Sequence, residues 1–185
     1  MRLFLGFAPA GAEREIFGLC DRLSAVAHSG LPDSETLRWV PPENWHITVA
    51  FLGEIAERSL GKLSDAVAPV VSERAPLSVQ LDRLEWFPSP LKPRMLALHV
   101  DACPALLELQ SAVTAALRRE GFQLEQRAYR PHLTLARLRG SRKALEPPAL
   151  MPVQPMTAEL AELVLFESHR GARPYIPVQH FELAA

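Results

Sequence analysis

Apolar residues recur along the chain with two different spacings, and these spacings predict its strands and helices. Arg2–Phe7 and Arg94–Val100 are short apolar runs of the kind that form buried strands. Each run is followed by a segment with an apolar residue every three or four positions, which predicts an amphipathic helix. The predicted apolar faces are Ile16, Leu19, Cys20, Leu23, Val26 and Ala27 in the first helix, and Leu106, Leu109, Val113 and Leu117 in the second.

Each predicted helix leads through a loop into a strand that begins with the same polar pattern. The segment HITVAFLG starts at His46, and HLTLAR starts 86 residues later at His132. Side chains alternate between the two faces of a strand, so His46 and Thr48 should share one face. The same alternation predicts that Phe51 lies on the opposite, apolar face. Both strands therefore carry a His-x-Thr pair on one side.

The repeated order of strand, helix, loop and strand indicates an internal duplication. The parallel continues downstream, because Leu77–Phe87 and Met156–Phe166 are both strand-like runs that end in phenylalanine. Residues 55–71 can form a helix, whereas 141–155 contains four prolines and is predicted to be a loop.

We expect an α+β fold in which residues 1–185 form a single two-lobed domain with repeat units of roughly 1–90 and 91–185. Each of the two pseudo-symmetric lobes is predicted to be a small, mostly antiparallel sheet with helices on its outer face. The two His-x-Thr strands would then face each other across a central cleft.

Composition and charge narrow the class of protein. With 185 residues, 48% hydrophobic and 22% charged, the chain has the composition of a soluble globular protein. The net charge of −1 gives no global sign of nucleic-acid binding. Locally, eight basic and two acidic residues between Arg118 and Lys143 surround the second His-x-Thr pair. This run fits either an anion-attracting rim or an ordinary solvated surface.

The sequence also bears on location and on metals. The apolar run that opens the chain is too short for a signal peptide, and no segment has the roughly 20 apolar residues that cross a bilayer. Cys20 and Cys103 lack the spacing of a metal site and are expected to be reduced, apolar fillers. We therefore expect a cytoplasmic protein that does not bind membranes.

The chemistry of a His-x-Thr pair suits a phosphate. Histidine can accept or donate a proton near neutral pH, and a threonine hydroxyl donates a hydrogen bond to an anionic oxygen. Two facing pairs would enclose a tetrahedral oxyanion, with one histidine serving the entering oxygen and the other the departing oxygen. No metal is needed, and a metal site at His46 and His132 would lack a third ligand. A single pair would fit a capped strand end equally well, but two copies in equivalent places favour a site.

Several motifs together resemble one known family. These motifs are the opening MRLF, the pattern W-x-x-x-x-N-W before HITVAFLG, the segment RPHLTLAR, and the ending L-x-x-F-E-S with a later tyrosine. They resemble the RNA 2′,3′-cyclic phosphodiesterases, also called 2′-5′ RNA ligases, of the two-histidine phosphoesterase superfamily. The resemblance implies metal-independent opening of a terminal 2′,3′-cyclic phosphate to a 2′-phosphate, without a cofactor. It also implies a related joining of RNA ends, such as tRNA halves, through a 2′-5′ linkage.

The resemblance assigns roles to individual residues. It implies that His46 is the proton donor toward the departing 3′ oxygen and that His132 is the proton acceptor from water. It implies that Thr48 and Thr134 hold the non-bridging phosphate oxygens. Phe51 and Arg137, each five residues after its histidine, would lie near the nucleoside. Alternation leaves Phe51 equally suited to the core, while Arg137 needs a partner or a twist that brings it to the cleft.

Other polar residues near these motifs allow two interpretations each. His99 is predicted to match Phe7 of the first repeat and to be a packed strand residue more readily than a cleft residue. His169 and Arg170 could contact a phosphate-bearing chain or simply fill a turn. The residues before the second motif could flank the substrate or set the entry of the strand; they are Tyr129, Arg130 and Pro131. We predict structural roles for His28 and His180.

Two rival functions remain open at this point. One is a nucleotide-binding or RNA-binding module without turnover, and the other is a phosphodiesterase for a different cyclic or 2′-5′ linked nucleotide. The intact His and Thr residues of both motifs favour an enzyme, because binding alone does not require two titratable groups. The expected partners are RNA with a 2′,3′-cyclic phosphate end, or small cyclic nucleotides. We expect a monomer, because both motifs lie in one chain.

Overall fold

A computed structural model describes residues 1–25, 37–139, 153–169 and 175–184 of the chain. His28, Arg170 and residues 141–152 of the predicted proline-rich loop lie outside the described residues. Within the described ranges, no helix is long and apolar enough to cross a membrane.

The described residues form nine strands and three α-helices, in the order that the hydrophobic pattern predicts except for a short strand at Leu37–Trp39, which lies in a predicted loop. The helices are α1 (Glu13–Ala25), α2 (Leu60–Ser72) and α3 (Pro104–Arg119). The strands of the first half are β1 (Arg2–Phe7), β2 (Leu37–Trp39), β3 (Ile47–Glu54) and β4 (Leu77–Phe87). Those of the second half are β5 (Met95–Val100), β6 (His132–Leu138), β7 (Met156–Leu160), β8 (Glu162–Glu167) and β9 (Ile176–Glu182). The predicted run Met156–Phe166 is thus two strands, because the chain leaves the ladder at Ala161 between them.

The strands form one antiparallel sheet in the order β7-β4-β5-β6-β3-β1-β8-β9, with β2 pairing on β6. The two halves of this order meet at β3 and β6, which share the single pair Ile47–Leu133. Strand β4 crosses from the first half of the chain to β5, while β8 and β9 return to β1. The α+β class with antiparallel strands is confirmed, but each lobe contains strands from both halves of the chain.

One face of the sheet and all three helices share a single apolar core. The core-facing residues of β1 are Leu3, Leu5 and Phe7, each with no exposed surface. The predicted face of α3 is fully buried in the same cluster, and so are Ile16, Leu19 and Leu23 of α1. Burial of large aliphatic side chains contributes roughly 1.5–3 kcal/mol each, so this core holds the sheet in shape. The opposite face is left free to form a cleft.

Strict alternation fails in β3 and β6, and in both strands it fails at the third residue after the histidine. Val49 has no partner on β1, because Leu5 pairs with Ala50 and Gly6 pairs with Thr48. Likewise Leu135 has no partner on β5, because Leu96 pairs with Ala136 and Ala97 pairs with Thr134. A β-bulge of this kind inserts one residue and reverses the facing of those that follow.

The bulges correct the predicted position of Phe51. Val49 and Ala50 are both buried, and Phe51 turns to the cleft face with 38% of its surface exposed. The expectation that Phe51 shares a face with Val49 is therefore wrong. Arg137 reaches the cleft in the same way after Leu135 and Ala136, which are fully buried.

The predicted correspondence of His99 with Phe7 is also off by one residue. Phe7 pairs with Ile47, whereas His99 pairs with His132. Residues directly opposite each other in a ladder point to the same face, so His99 lies on the face of His132. Its Nδ1 is 2.8 Å from Oδ1 of Asp82 on β4, which fits the packed strand histidine that the sequence favours.

Candidate active site

His46 and His132 are held by the same local hydrogen bond. Nδ1 of His46 is 2.7 Å from the carbonyl oxygen of Asn44, and Nδ1 of His132 is 2.8 Å from that of Arg130. Because a carbonyl oxygen only accepts, each Nδ1 carries the hydrogen. The neutral rings therefore keep Nε2 unprotonated and able to take a proton. Both histidines line one cleft of about 430 Å³.

Aromatic rings surround His46. The centroid of its imidazole lies 4.6 Å from that of Phe4 and 5.2 Å from that of Tyr175. Asn44 connects these parts, because its Oδ1 accepts a 2.7 Å hydrogen bond from the backbone N–H of Tyr175. Burial is the main cause that lowers the pKa of His46, to about 4, and the charges of Arg137 and His132 lower it further. The neutral imidazole is favoured in the unliganded protein.

His132 has a different setting. Its ring stacks on Phe87 with a centroid distance of 3.9 Å, and the Arg130 guanidinium lies 4.7 Å from the centroid of the same phenyl ring. Burial lowers the pKa of His132 as well, and the charges of Arg130 and Arg137 add to this effect. The carboxylate of Glu85 acts in the opposite direction. The Glu85 carboxylate therefore raises the pKa of His132, whereas no carboxylate is among the groups that shift the pKa of His46.

Both threonines of the motifs line the cleft. Thr134 is 8% exposed, and its Oγ1 lies 3.3 Å from Sδ of Met95, a weak acceptor. The carbonyl oxygen of Thr48 accepts a 3.1 Å hydrogen bond from the Tyr129 hydroxyl, which ties β3 to the segment before β6. Each hydroxyl is thus positioned on the same face as a histidine, as the sequence pattern predicts.

The cleft is cationic. Arg2, Arg38 and Arg137 all line it, and among the described residues its lining includes no aspartate or glutamate. Arg38 pairs with Arg137 across the β2–β6 ladder, and Arg2 places its guanidinium 5.1 Å from the centroid of Phe51. Cationic side chains that line one cleft attract anions. The arrangement suits a negatively charged ligand.

The remaining sequence candidates divide between the cleft and the structure around it. His169 lines the cleft; its Nε2 is buried without a hydrogen-bond partner and lies 3.9 Å from Glu167. Tyr129 is half-buried and supports Thr48 through its hydroxyl, and burial raises the pKa of that hydroxyl. Arg130 donates to the carbonyl oxygen of Pro88 and pairs with Glu85. His180 pairs with Glu162 at a half-exposed position that is not part of the cleft lining.

Neither the cleft nor the rest of the described chain offers a cluster of metal ligands. No group of three His, Cys, Asp or Glu side chains among the described residues could hold a metal ion. Cys20 is half-buried, and burial raises the pKa of its thiol to about 12, which leaves it unreactive.

Sequence reasoning missed four residues of the site. Arg2 and Arg38 line the cleft, Phe87 stacks on His132, and Glu85 raises the pKa of His132. Phe87 left a signal, because it ends the strand-like run that parallels the one ending in Phe166. In the structure these two residues lie at equivalent places, since Phe87 pairs with Met95 beside Arg137 and Phe166 pairs with Phe4 beside Phe51. Arg38 left no signal of its own, because its position depends on β2 joining β6.

Comparison with known proteins agrees with this geometry. The profile of the LigT like phosphoesterase family matches the chain twice, at residues 12–97 and 99–176. These two matches cover most of the chain. The chain belongs to the LigT-like phosphoesterase family. Each of the two matched regions contains one His-x-Thr strand of the cleft.

Members of this family include proteins named for a defined activity. An RNA 2′,3′-cyclic phosphodiesterase of Geobacillus stearothermophilus is 34% identical over 155 residues, which are 83% of this chain and 48% of that protein. One from Bacillus subtilis is 38% identical over 100 residues, 54% of this chain and 55% of that protein. The match thus spans about half the length of these curated relatives.

The fold is also that of solved LigT structures. The structure of Escherichia coli LigT complexed with 3′-AMP aligns with a TM-score of 0.75 at 23% identity, covering 100% of this chain and 98% of that one. At this level of identity the likeness establishes the fold.

Proposed function

We propose that this protein opens 2′,3′-cyclic phosphates at RNA ends to 2′-phosphates, with His46 and His132 as an acid–base pair. The observation that carries the proposal is the pair of His-x-Thr strands on one arginine-lined cleft, each histidine fixed through Nδ1. The curated relatives named RNA 2′,3′-cyclic phosphodiesterase support it. The complex of E. coli LigT with 3′-AMP supports a ribonucleotide phosphate as the ligand of this fold, and it leaves the polarity of ring opening to experiment.

The proposed reaction is an in-line displacement at phosphorus. Water attacks the phosphorus and gives its proton to Nε2 of His132, while the bond from phosphorus to the 3′ oxygen breaks. His46, protonated at Nε2, gives that proton to the 3′ oxygen, and the phosphate remains on the 2′ oxygen. Thr48 and Thr134 donate hydrogen bonds to the non-bridging oxygens, and the arginines balance the developing charge.

Around the phosphate, the arrangement of side chains supports a nucleoside site. Phe51 and Arg137 both face the cleft after their bulges, so a base can lie against a phenyl ring and a guanidinium group. We propose RNA ends, such as those of tRNA halves, as the substrates, with small cyclic nucleotides as minimal ones. Joining of ends through a 2′-5′ linkage, a monomeric state and a cytoplasmic location remain predictions from the sequence.

An internal duplication is the proposed origin of this symmetry. The bulges at Val49 and Leu135, the two Nδ1 hydrogen bonds and the two profile matches all support it. In this proposal the duplicated units contributed one histidine and one threonine each to a shared phosphate site.

The test is hydrolysis of a short RNA that ends in a 2′,3′-cyclic phosphate, in the presence of EDTA, with identification of the product. The wild-type protein should yield a 2′-phosphate end. His46→Ala and His132→Ala should each lower kcat by about 10²–10⁴, the range for loss of one acid or base. His180→Ala is the matched control, because His180 is paired with Glu162 away from the cleft, and it should keep wild-type activity.

Three results would contradict the proposal in different ways. Full activity of either cleft variant would remove the acid–base assignment. A 3′-phosphate product would reverse the polarity of ring opening. Tight binding of the RNA without turnover would make the protein a nucleotide-binding module.

A further inference from the structure

A second cavity opens beside the cleft and shares three residues with it. This side chamber has a volume of about 260 Å³ and meets the cleft at Thr48, Phe51 and His132. Neither His46 nor Thr134 is among the described residues that line it. The chamber therefore lies to one side of the phosphate position, next to the first threonine and the second histidine.

An asymmetry of the sheet leaves this chamber open. Beyond its His-x-Thr pair, β6 has β2 as a neighbour on the edge opposite β5. Three residue pairs join these two strands, from Leu37–Leu138 to Trp39–Ala136. At the equivalent edge of β3, no strand in the described part of the chain takes that position. The chain before β6 instead runs without regular structure, and its contact with β3 includes the hydrogen bond from Tyr129 to Thr48. Gln110 and Thr114 of α3 also line the chamber.

The lining combines apolar surface with a few polar groups and arginines. Ala50, Leu124 and Phe51 contribute apolar walls. The Gln110 amide can both donate and accept hydrogen bonds, and the Thr114 hydroxyl, which donates within its helix, keeps acceptor capacity. Arg127, 81% exposed and paired with Glu125, also lines the chamber. An unpaired base needs apolar or aromatic walls, polar edges to bond and a cation for its phosphate.

The covalent connection between neighbouring nucleotides of an RNA identifies the base that would enter the chamber. A nucleotide bound with its phosphate between the two His-x-Thr pairs occupies the cleft, and an RNA end always carries a second nucleotide attached to it. The shared wall at Thr48 and Phe51 lets one chain run from the cleft into the chamber. The attached nucleotide arrives at high effective concentration, so modest contacts are enough to hold it.

We propose that the side chamber binds the nucleotide adjacent to the cyclic-phosphate end, with its base against Leu124 and Ala50 and its edge bonded by Gln110. This rests on the proposed function and adds a chain-length preference to it. The protein then favours substrates of two or more nucleotides over a mononucleotide.

The test compares kcat/KM for adenosine 2′,3′-cyclic phosphate with kcat/KM for the dinucleotide ApA ending in a 2′,3′-cyclic phosphate. We expect the wild type to favour the dinucleotide by about tenfold or more, the effect of one bound base. Leu124→Trp, which fills the chamber, and Gln110→Ala, which removes the amide, should each reduce this ratio several-fold. Gln80→Ala makes the same change on exposed β4 outside the chamber and should leave the ratio at the wild-type value.

Equal kcat/KM for the two substrates in the wild type would overturn the proposal, and so would an unchanged ratio in both chamber variants. If Leu124→Trp instead suppressed only transfer of the phosphate to added adenosine, the chamber would be a site for an attacking 5′-hydroxyl, and the proposal would be wrong.

If neither substrate were hydrolysed, the proposed function would fail separately. Calorimetry would still test whether the chamber binds a second nucleotide. It would compare the affinities of 3′-AMP and of ApA 3′-phosphate for the wild type and for Gln110→Ala. A dinucleotide preference that Gln110→Ala reduces would support the chamber proposal, and equal affinities would overturn it.

Discussion

At the scale of single residues, His46 and His132 have the same hydrogen bond and different neighbours. Aromatic rings and burial favour a neutral His46, whereas Glu85 partly restores the basicity of His132. In the unliganded protein burial therefore keeps His46 neutral at physiological pH. The proposed mechanism requires the proton on His46, so the anionic substrate has to favour protonation of His46 when it binds.

Glu85→Gln tests which role His132 has. Loss of the carboxylate should lower the pKa of His132, because a negative charge no longer favours the imidazolium ion. If His132 is the base, as proposed, the acidic limb of the kcat/KM profile moves to lower pH. If the alkaline limb moves to lower pH instead, His132 is the acid and the assignment is reversed. Glu57→Gln, at an exposed 3₁₀ turn, is the control and should leave both limbs in place.

The residue types of the site were readable from the sequence, but their neighbours were not. His46, Thr48, His132 and Thr134 stand out because the same short pattern occurs twice. Glu85 is distant in sequence from His132 and affects it only because β4 and β6 both pair with β5. Such a contact has no signature in local sequence.

At the scale of elements, the bulges in β3 and β6 determine which side chains face the cleft. Hydrophobic alternation predicts a regular strand, since Val49, Phe51 and Leu135 are all apolar. The bulge depends on pairing with the neighbouring strand, where two residues oppose one. This is why Phe51 was ambiguous from the pattern and is a cleft residue in the structure.

The pairing of β1 with β3 also requires glycine at position 6. A Cβ atom there would lie 3.0 Å from the carbonyl oxygen of Ile47 and 3.6 Å from the His46 ring. Gly6→Ala should therefore destabilise the fold by about 1–3 kcal/mol, the usual cost of overpacking. It should also lower kcat by displacing His46, and thermal melting with steady-state kinetics would measure both effects.

Gly61→Ala is the matched control for this change. A Cβ at Gly61 in α2 would meet nothing within 4 Å, so the variant should be neutral or more stable by up to about 1 kcal/mol, with wild-type activity. Gly6→Ala with unchanged stability and kcat would show that the close approach is easily relaxed.

At the scale of the whole molecule, the buried cleft couples folding to pH. The pKa of His46 is about 4 in the folded protein, against 6.5 when exposed. Between these values the unfolded chain binds a proton that the folded protein does not, so stability should fall as the pH drops from 6.5 to 4. The contribution is on the order of 1–3 kcal/mol, or several degrees in Tm.

Melting curves of the wild type and of His46→Gln between pH 7 and pH 4 would measure this contribution. Glutamine cannot take up a proton, so the variant should lose less Tm over this range than the wild type. Parallel pH dependence of the two proteins would mean that His46 does not supply the coupling.

The sequence by itself determined most of the elements, the α+β class and the two His-x-Thr pairs, because each depends on short-range periodicity that a single strand or helix expresses. Only the tertiary structure decided the rest. Pairing between strands that are distant in the chain produces four features: the exchange of β4 and β8 between lobes, the bulges, the arginine lining and the side chamber. Local patterns determine which side of an element is apolar. The sheet that those elements build together determines which cations, rings and carboxylates meet around the two histidines.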